Sequence, residues 1–284
     1  MNQKQIEKEW KKLIKTEEKF ISHNLEKKEA GWQKKIEKFV PDKLSDSLNT
    51  AFYKAFELIF EKGTGVIEKT YNKEKREQDY KINEYAAELK NNRKTMKAFG
   101  KQAKASQNLN MAISAVEGVS MGVVGAGLPD ILLFLGVLLK SIYETALIYG
   151  FTYETEQEQI FILKIIETAL THEKDLIKGN EELNTWLETP YPFLITKTEQ
   201  IKQTSLVLAE EMLYLKFVQG IPLVGIAGGL SDVVYQKKIT DYAQIKYKRR
   251  FLLDKRNLSE TKTFFGKYFM SQSYFIVKNK QKIY

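Results

Sequence analysis

Residues 119–139 read VSMGVVGAGLPDILLFLGVLL, an apolar run of twenty-one residues in which the only charge, Asp130, sits beside the only proline, Pro129. A run of this length predicts either a membrane segment or the buried centre of a helical protein. Its twelve Val, Leu, Ile and Phe residues contribute about −4 to −7 kcal/mol of insertion free energy, and a central Asp returns about 3 kcal/mol. That balance disfavours a clean transmembrane span. It predicts a helical hairpin, either buried in protein or dipping into lipid.

The rest of the chain carries helical periodicity. Ile6, Trp10, Leu13, Ile14 and Ile21 form one stripe, which Trp32, Ile36 and Phe39 resume before Pro41 stops it. Leu44, Leu48, Ala51, Phe52, Ala55, Phe56, Ile59 and Phe60 form a second, with Gly63 and Gly65 after it. Residues 71–105 are strongly polar and predict an exposed helix. Pro129 and Asp130 suit the first turn of a helix, where the proline loses no bond and the acid complements the dipole. Gly150 is the expected stop. An amphipathic helix through Ile160, Leu163, Ile166 and Leu170 follows, then a loop-like region to Pro192, then a helix through Ile201, Leu208, Met212 and Leu215.

Residues 217–235, FVQGIPLVGIAGGLSDVVY, repeat the pattern of the first apolar run: a Gly-x-Pro break and one charge, Asp232. The structural turns are therefore expected at Gly127 with Pro129 and at Gly220 with Pro222, the two meeting at the centre of one domain. Broken apolar segments in corresponding places also occur in discontinuous membrane helices. No alternation persists long enough for a sheet. The predicted fold is all-α, a multi-helix bundle with two Gly/Pro-broken apolar central segments that suit either a buried core or association with a membrane.

Little in the chain declares a reaction. The absence of cysteine excludes disulfides, thiolate metal sites and a cysteine nucleophile. His23 and His172 stand in charged surroundings without ligand spacing and are expected to face solvent, so neither a metal nor a cofactor is expected. Gly118-Val119-Ser120-Met121-Gly122 fits a nucleophile elbow, but the helical context is wrong for one and small residues at this spacing favour helix packing. Glu117, Asp130, Glu144 and Asp232 are acids within apolar stretches. Two that converged would form an acid–base pair; otherwise Asp130 caps a helix, Glu144 pairs with Lys140 one turn away, and Asp232 opens the next helix.

The net charge of +9 is concentrated at one end. Residues 237–284 hold thirteen Lys and Arg against Asp241, Asp254 and Glu260, a surplus of +10 that leaves −1 for the remainder. Such a block seeks a polyanion. Lys246, Lys248, Arg249, Arg250, Lys255 and Arg256 are the residues expected at an anionic membrane. Interleaved aromatics would anchor at lipid or stack on bases. The alternative is a solvated basic face whose aromatics fill the core, since Tyr242, Ile245 and Arg249 keep helical spacing. The opening residues MNQKQIEKEWKK have no apolar stretch behind their charges, which predicts a cytoplasmic protein.

GLPDILLFLGVLLKSIYETALIYG at 127–150 and GIPLVGIAGGLSDVVYQKKITDYAQIKYKRRF at 220–251 resemble the EcsC family, with a looser likeness at Trp32 and Pro41. The resemblance spans about residues 30–258. It implies a helical protein associated with an ABC exporter that affects secretion, and it carries no catalytic residues across. The expected organisation is a leading amphipathic helix at 1–40, an EcsC-like helical domain at 41–258 and a basic, aromatic tail at 259–284. The expected function is that of a non-enzymatic accessory protein, peripheral to the inner face of the cell membrane, with an anionic bilayer and ABC transporter subunits as partners. The alternative is a hydrolase of lipid or peptide using Ser120 or a carboxylate pair. A nucleic-acid-binding module stands third, and nucleic acid is not the expected partner.

Overall fold

The stripe that begins at Ile6 folds as α1 (Gln3–Leu25), with Ile6 and Leu13 buried and Trp10 packed against the core. The computed structural model describes residues 3–25, 42–61, 73–74, 76–78, 80–81, 128–189, 191–218 and 234–257. Within them every regular element is a helix. The second stripe forms α2 (Asp42–Glu61) and buries Leu48, Phe52, Ala55, Phe56 and Phe60 along one face. Of the polar region after it, the described residues from Lys73 to Lys81 are helical.

The described part of the first apolar run is a core helix, α3 (Leu128–Ile148), which opens with Pro129 and Asp130 in its first turn as expected. Leu135, Leu138, Leu139, Ile142 and Tyr143 are fully enclosed, and Phe134 meets Phe52 of α2 edge-on. Among the described residues no helix is long and apolar enough to cross a membrane. Gly150 ends the helix in the left-handed region, φ +84°. Phe151 N–H donates to Ala146 O and Gly150 N–H to Leu147 O, a Schellman closure of the last carbonyls. Tyr80 covers that glycine so closely that a Cβ there would lie 2.3 Å from its ring.

Thr155 caps α4 (Glu156–Leu170) by accepting from Glu158 N–H. The spacing read as amphipathic is in fact one face of a helix buried almost all round: Phe161, Ile162 and Ile165 are as enclosed as Leu163 and Ile166. The cause is tertiary, because α5 (Glu173–Glu188) and α6 (Lys197–Val218) both pack on α4. α5 itself occupies a region read as loop. Its buried stripe is only Leu176, Gly179 and Leu183 in an otherwise polar stretch. α6 also packs on α2, and α1 on α5. Residues 234–257 form α7, whose Tyr242, Ile245 and Arg249 are buried on one face as their spacing predicts. Tyr242 stacks on Phe20 of α1, ring centroids 4.9 Å apart.

Candidate functional site

The basic stretch of α7 reads ITDYAQIKYKRRFL over residues 239–252. One helical turn separates Tyr242 from Lys246, and three residues more reach Arg249, so all three share a face. That face turns inward. Lys246 is 0% exposed, and its three donors meet Glu17 Oε1 at 2.5 Å, Asn180 Oδ1 at 2.6 Å and Asn184 Oδ1 at 2.6 Å. An ammonium has three N–H groups and no more, so its hydrogen-bonding capacity is filled. Tyr242 OH donates to the same Asn180 oxygen at 2.8 Å.

Arg249 takes the other oxygen of Glu17, Nη1 to Oε2 at 2.6 Å, and reaches Glu188 with Nη2 at 2.9 Å. Its guanidinium lies 4.9 Å from the Trp10 ring centre. Burial drives the Glu17 carboxyl upward, but the charge and donors of Lys246, with Arg249 behind them, outweigh it and hold the group below the usual carboxylate range. Burial pushes Lys246 down to about 8, against the pull of Glu17. A cavity of about 390 Å³ lies beside this cluster, with Ile14, Ile21 and Leu25 on one wall and Glu17, Asn184 and Arg249 among its polar lining.

A second cluster adjoins on the next face of α7. Glu158, buried at the start of α4, accepts from Tyr247 OH at 2.9 Å and from Arg250 Nη1 at 2.6 Å. The Arg250 guanidinium sits over Phe151, Trp186 and Phe161, at 4.2, 5.4 and 5.7 Å from their centres. Burial raises the Glu158 carboxyl, and Arg250 opposes this only in part. Lys248 reaches Glu9 of α1 at 3.0 Å.

Lys246 and Arg249 are buried in these pairs, unlike the membrane-facing surface expected of them. Lys246, Lys248, Arg249 and Arg250 join α7 to α1, α5 and α4 through ion pairs, because the 3.6-residue period aims them at acids on neighbouring helices. Lys255 lays its ammonium 5.3 Å from the Phe251 ring centre, and Arg256 is exposed near the end of α7. His172 also departs from expectation: it is largely enclosed, with Nε2 3.1 Å from Glu211 Oε2 of α6. Its place just before α5 tucks the ring against the buried side of α6.

Among the candidate acids Glu144 is 2% exposed and accepts from Arg76 Nη2 at 3.0 Å. The expected partner Lys140 adds longer-range charge, and burial lowers its own ammonium against the pull of Glu144. Asp130 stands beside Pro129 in the first turn of α3. Ser120, Glu117, Asp232, Gly127, Gly220 and Pro222 lie outside the described residues, and with them the expected meeting of the two Gly-x-Pro turns. Among the described residues no group of three acids and histidines is placed to hold a metal ion.

Sequence reasoning passed over Glu17, although a signal was there. Glu17 continues the spacing of Ile6, Trp10 and Leu13, and a charge on an apolar stripe marks a buried charge that needs a partner. Asn180 and Asn184 lie one turn apart on α5, in a stretch whose sequence resembles a loop.

Fold and clusters together define an all-helical protein in which buried charge holds its helices to one another. The chain belongs to the EcsC protein family, which matches residues 4–252. The match takes in α1 and most of α7 and contains both segments whose resemblance predicted it. No curated protein and no solved structure matches the chain.

Proposed function

We propose that this EcsC-family chain is a non-enzymatic accessory protein that works at the cytoplasmic face of the cell membrane and supports an ABC exporter. The observation that carries the reading is that Lys246, Lys248, Arg249 and Arg250 pair with acids of neighbouring helices, so the polyanion-seeking charge is assigned to residues 258–284. That segment has five lysines against Glu260, interleaved with seven Phe and Tyr. Basic and aromatic residues together suit a headgroup layer, where the rings partition and the ammonium groups meet anionic lipid. At about 1 kcal/mol for each lysine near an anionic surface, five are enough to hold a soluble helical body there at low salt. The family's association with exporter subunits supplies the partner.

Sedimentation with vesicles tests it. The full chain should pellet with phosphatidylglycerol-containing vesicles at low salt and stay in solution with neutral ones. The substitutions K262Q, K267Q, K278Q, K280Q and K282Q together should release it. Equal recovery in the supernatant from both vesicle types would end the reading. The exporter role further requires membranes carrying the ATPase and membrane subunits of the exporter to retain more of the chain than membranes lacking them.

A further inference from the structure

The connection between α5 and α6 reads TPYPFLIT, residues 189–196, eight residues without a charge in a chain that is 29% charged. At that composition about two charges would be expected in an exposed loop of this length. Leu194 is 100% exposed and Tyr191 73%. Single exposed apolar residues are ordinary, but here the loop between the two is pinned. Phe193 N–H donates to Gln157 Oε1 of α4 at 2.8 Å, and its ring stacks on Trp186 of α5 at 4.6 Å. Thr196 then caps α6, accepting from Glu199 N–H. The base is fixed to the helical body, and two apolar side chains project from it.

We propose that this loop inserts Tyr191 and Leu194 into the headgroup layer of an anionic bilayer, an inference that rests on the membrane reading above. Desolvating an uncharged tip removes no charge from water, and the main-chain donor at its centre is already satisfied by Gln157. The tyrosine brings an apolar ring with a polar end, the form of side chain that settles at lipid interfaces. Lys197 and Lys202 follow against Glu199, so the first turns of α6 carry the positive balance that anionic headgroups attract.

The chain has no cysteine, so Leu194→Cys labelled with a polarity-sensitive fluorophore reports on this tip alone. With phosphatidylglycerol-containing vesicles its emission should shift to the blue. The same label at exposed Glu181 of α5, introduced as Glu181→Cys, should not shift. Tyr191→Asp with Leu194→Asp should weaken vesicle binding at least about tenfold while leaving the helical circular dichroism and Tm unchanged. A label that stays water-like while the chain pellets, or an Asp variant that pellets as the parent does, overturns the inference and leaves the tip to water or a protein partner. A chain that pellets with neither vesicle overturns this inference and the membrane reading together.

Discussion

Lys246 and Glu17 stand 229 residues apart in the chain and 2.5 Å apart in the fold. Their contact joins the last described helix to the first, with Asn180 and Asn184 of α5 completing the shell. An ion pair this enclosed is costly to desolvate, and it holds only where every donor finds an acceptor. Lys246 meets that condition. Part of the chain's most conspicuous charge feature thus fastens helices to one another.

The pH dependence of stability should carry the mark of Lys246. Its folded value of about 8 lies below the ordinary 10.5, so between these pH values the folded chain binds fewer protons than the unfolded chain. Stability from this group therefore rises with pH across the window, by about 3 kcal/mol at most. Tyr242 and Tyr247, raised by burial, act in the opposite direction only above about pH 10. Chemical denaturation from pH 7 to 9.5 should show a rise that Lys246→Met lacks. Parallel profiles for parent and variant would contradict it.

Arg250 should resist conservative replacement. Its planar guanidinium covers three aromatic rings while bonding Glu158, and lysine cannot do both. Arg250→Lys is expected to cost about 1–2 kcal/mol. Arg250→Met should cost more, because it leaves a buried carboxylate without its cation. Glu158 is already raised by burial. In the methionine variant the folded state therefore gains protons first, and stability should fall as pH rises from 5 to 7. Urea midpoints at the two pH values decide this.

Gly179 is a point of close approach between α5 and α4. A Cβ there would stand 2.6 Å from Thr168 Oγ1 and 3.0 Å from its Cγ2. Gly179→Ala should destabilise by about 1–3 kcal/mol through overpacking, despite alanine's better helix propensity. Thr168→Ala removes these two closest atoms, and among the described residues its hydroxyl has no hydrogen-bond partner to lose. The double variant should recover part of the loss in thermal unfolding. A stabilising Gly179→Ala would mean that the helices separate freely.

Local signals in the chain were legible wherever one residue's chemistry settles the backbone. The stripe from Leu44 to Phe60, Pro129 in the first turn of α3 and the stop at Gly150 are of this kind. The face shared by Tyr242, Ile245 and Arg249 was legible too, because periodicity is intrinsic to the helix. α5 was not: Leu176, Gly179 and Leu183 are too thin a stripe to outweigh the polar residues around them, and its packing against α4 and α1 explains it. Nor could sequence alone pair Lys246 with Glu17 or His172 with Glu211. Partners brought together by tertiary packing leave no spacing to read, so nothing in the basic run marks Lys246 and Arg249 as its buried members.

A double-mutant cycle on Glu17 and Lys246, read from urea unfolding of the parent, Glu17→Gln, Lys246→Met and the double variant, decides whether their charges hold α7 to α1. Each single substitution leaves a buried group without its counter-charge and should cost about 3–5 kcal/mol. The double variant removes both charges and should cost well under the sum, giving a coupling of about 2 kcal/mol or more. Additivity to within about 0.5 kcal/mol would contradict the account, because the two charges would then not be holding α7 to α1.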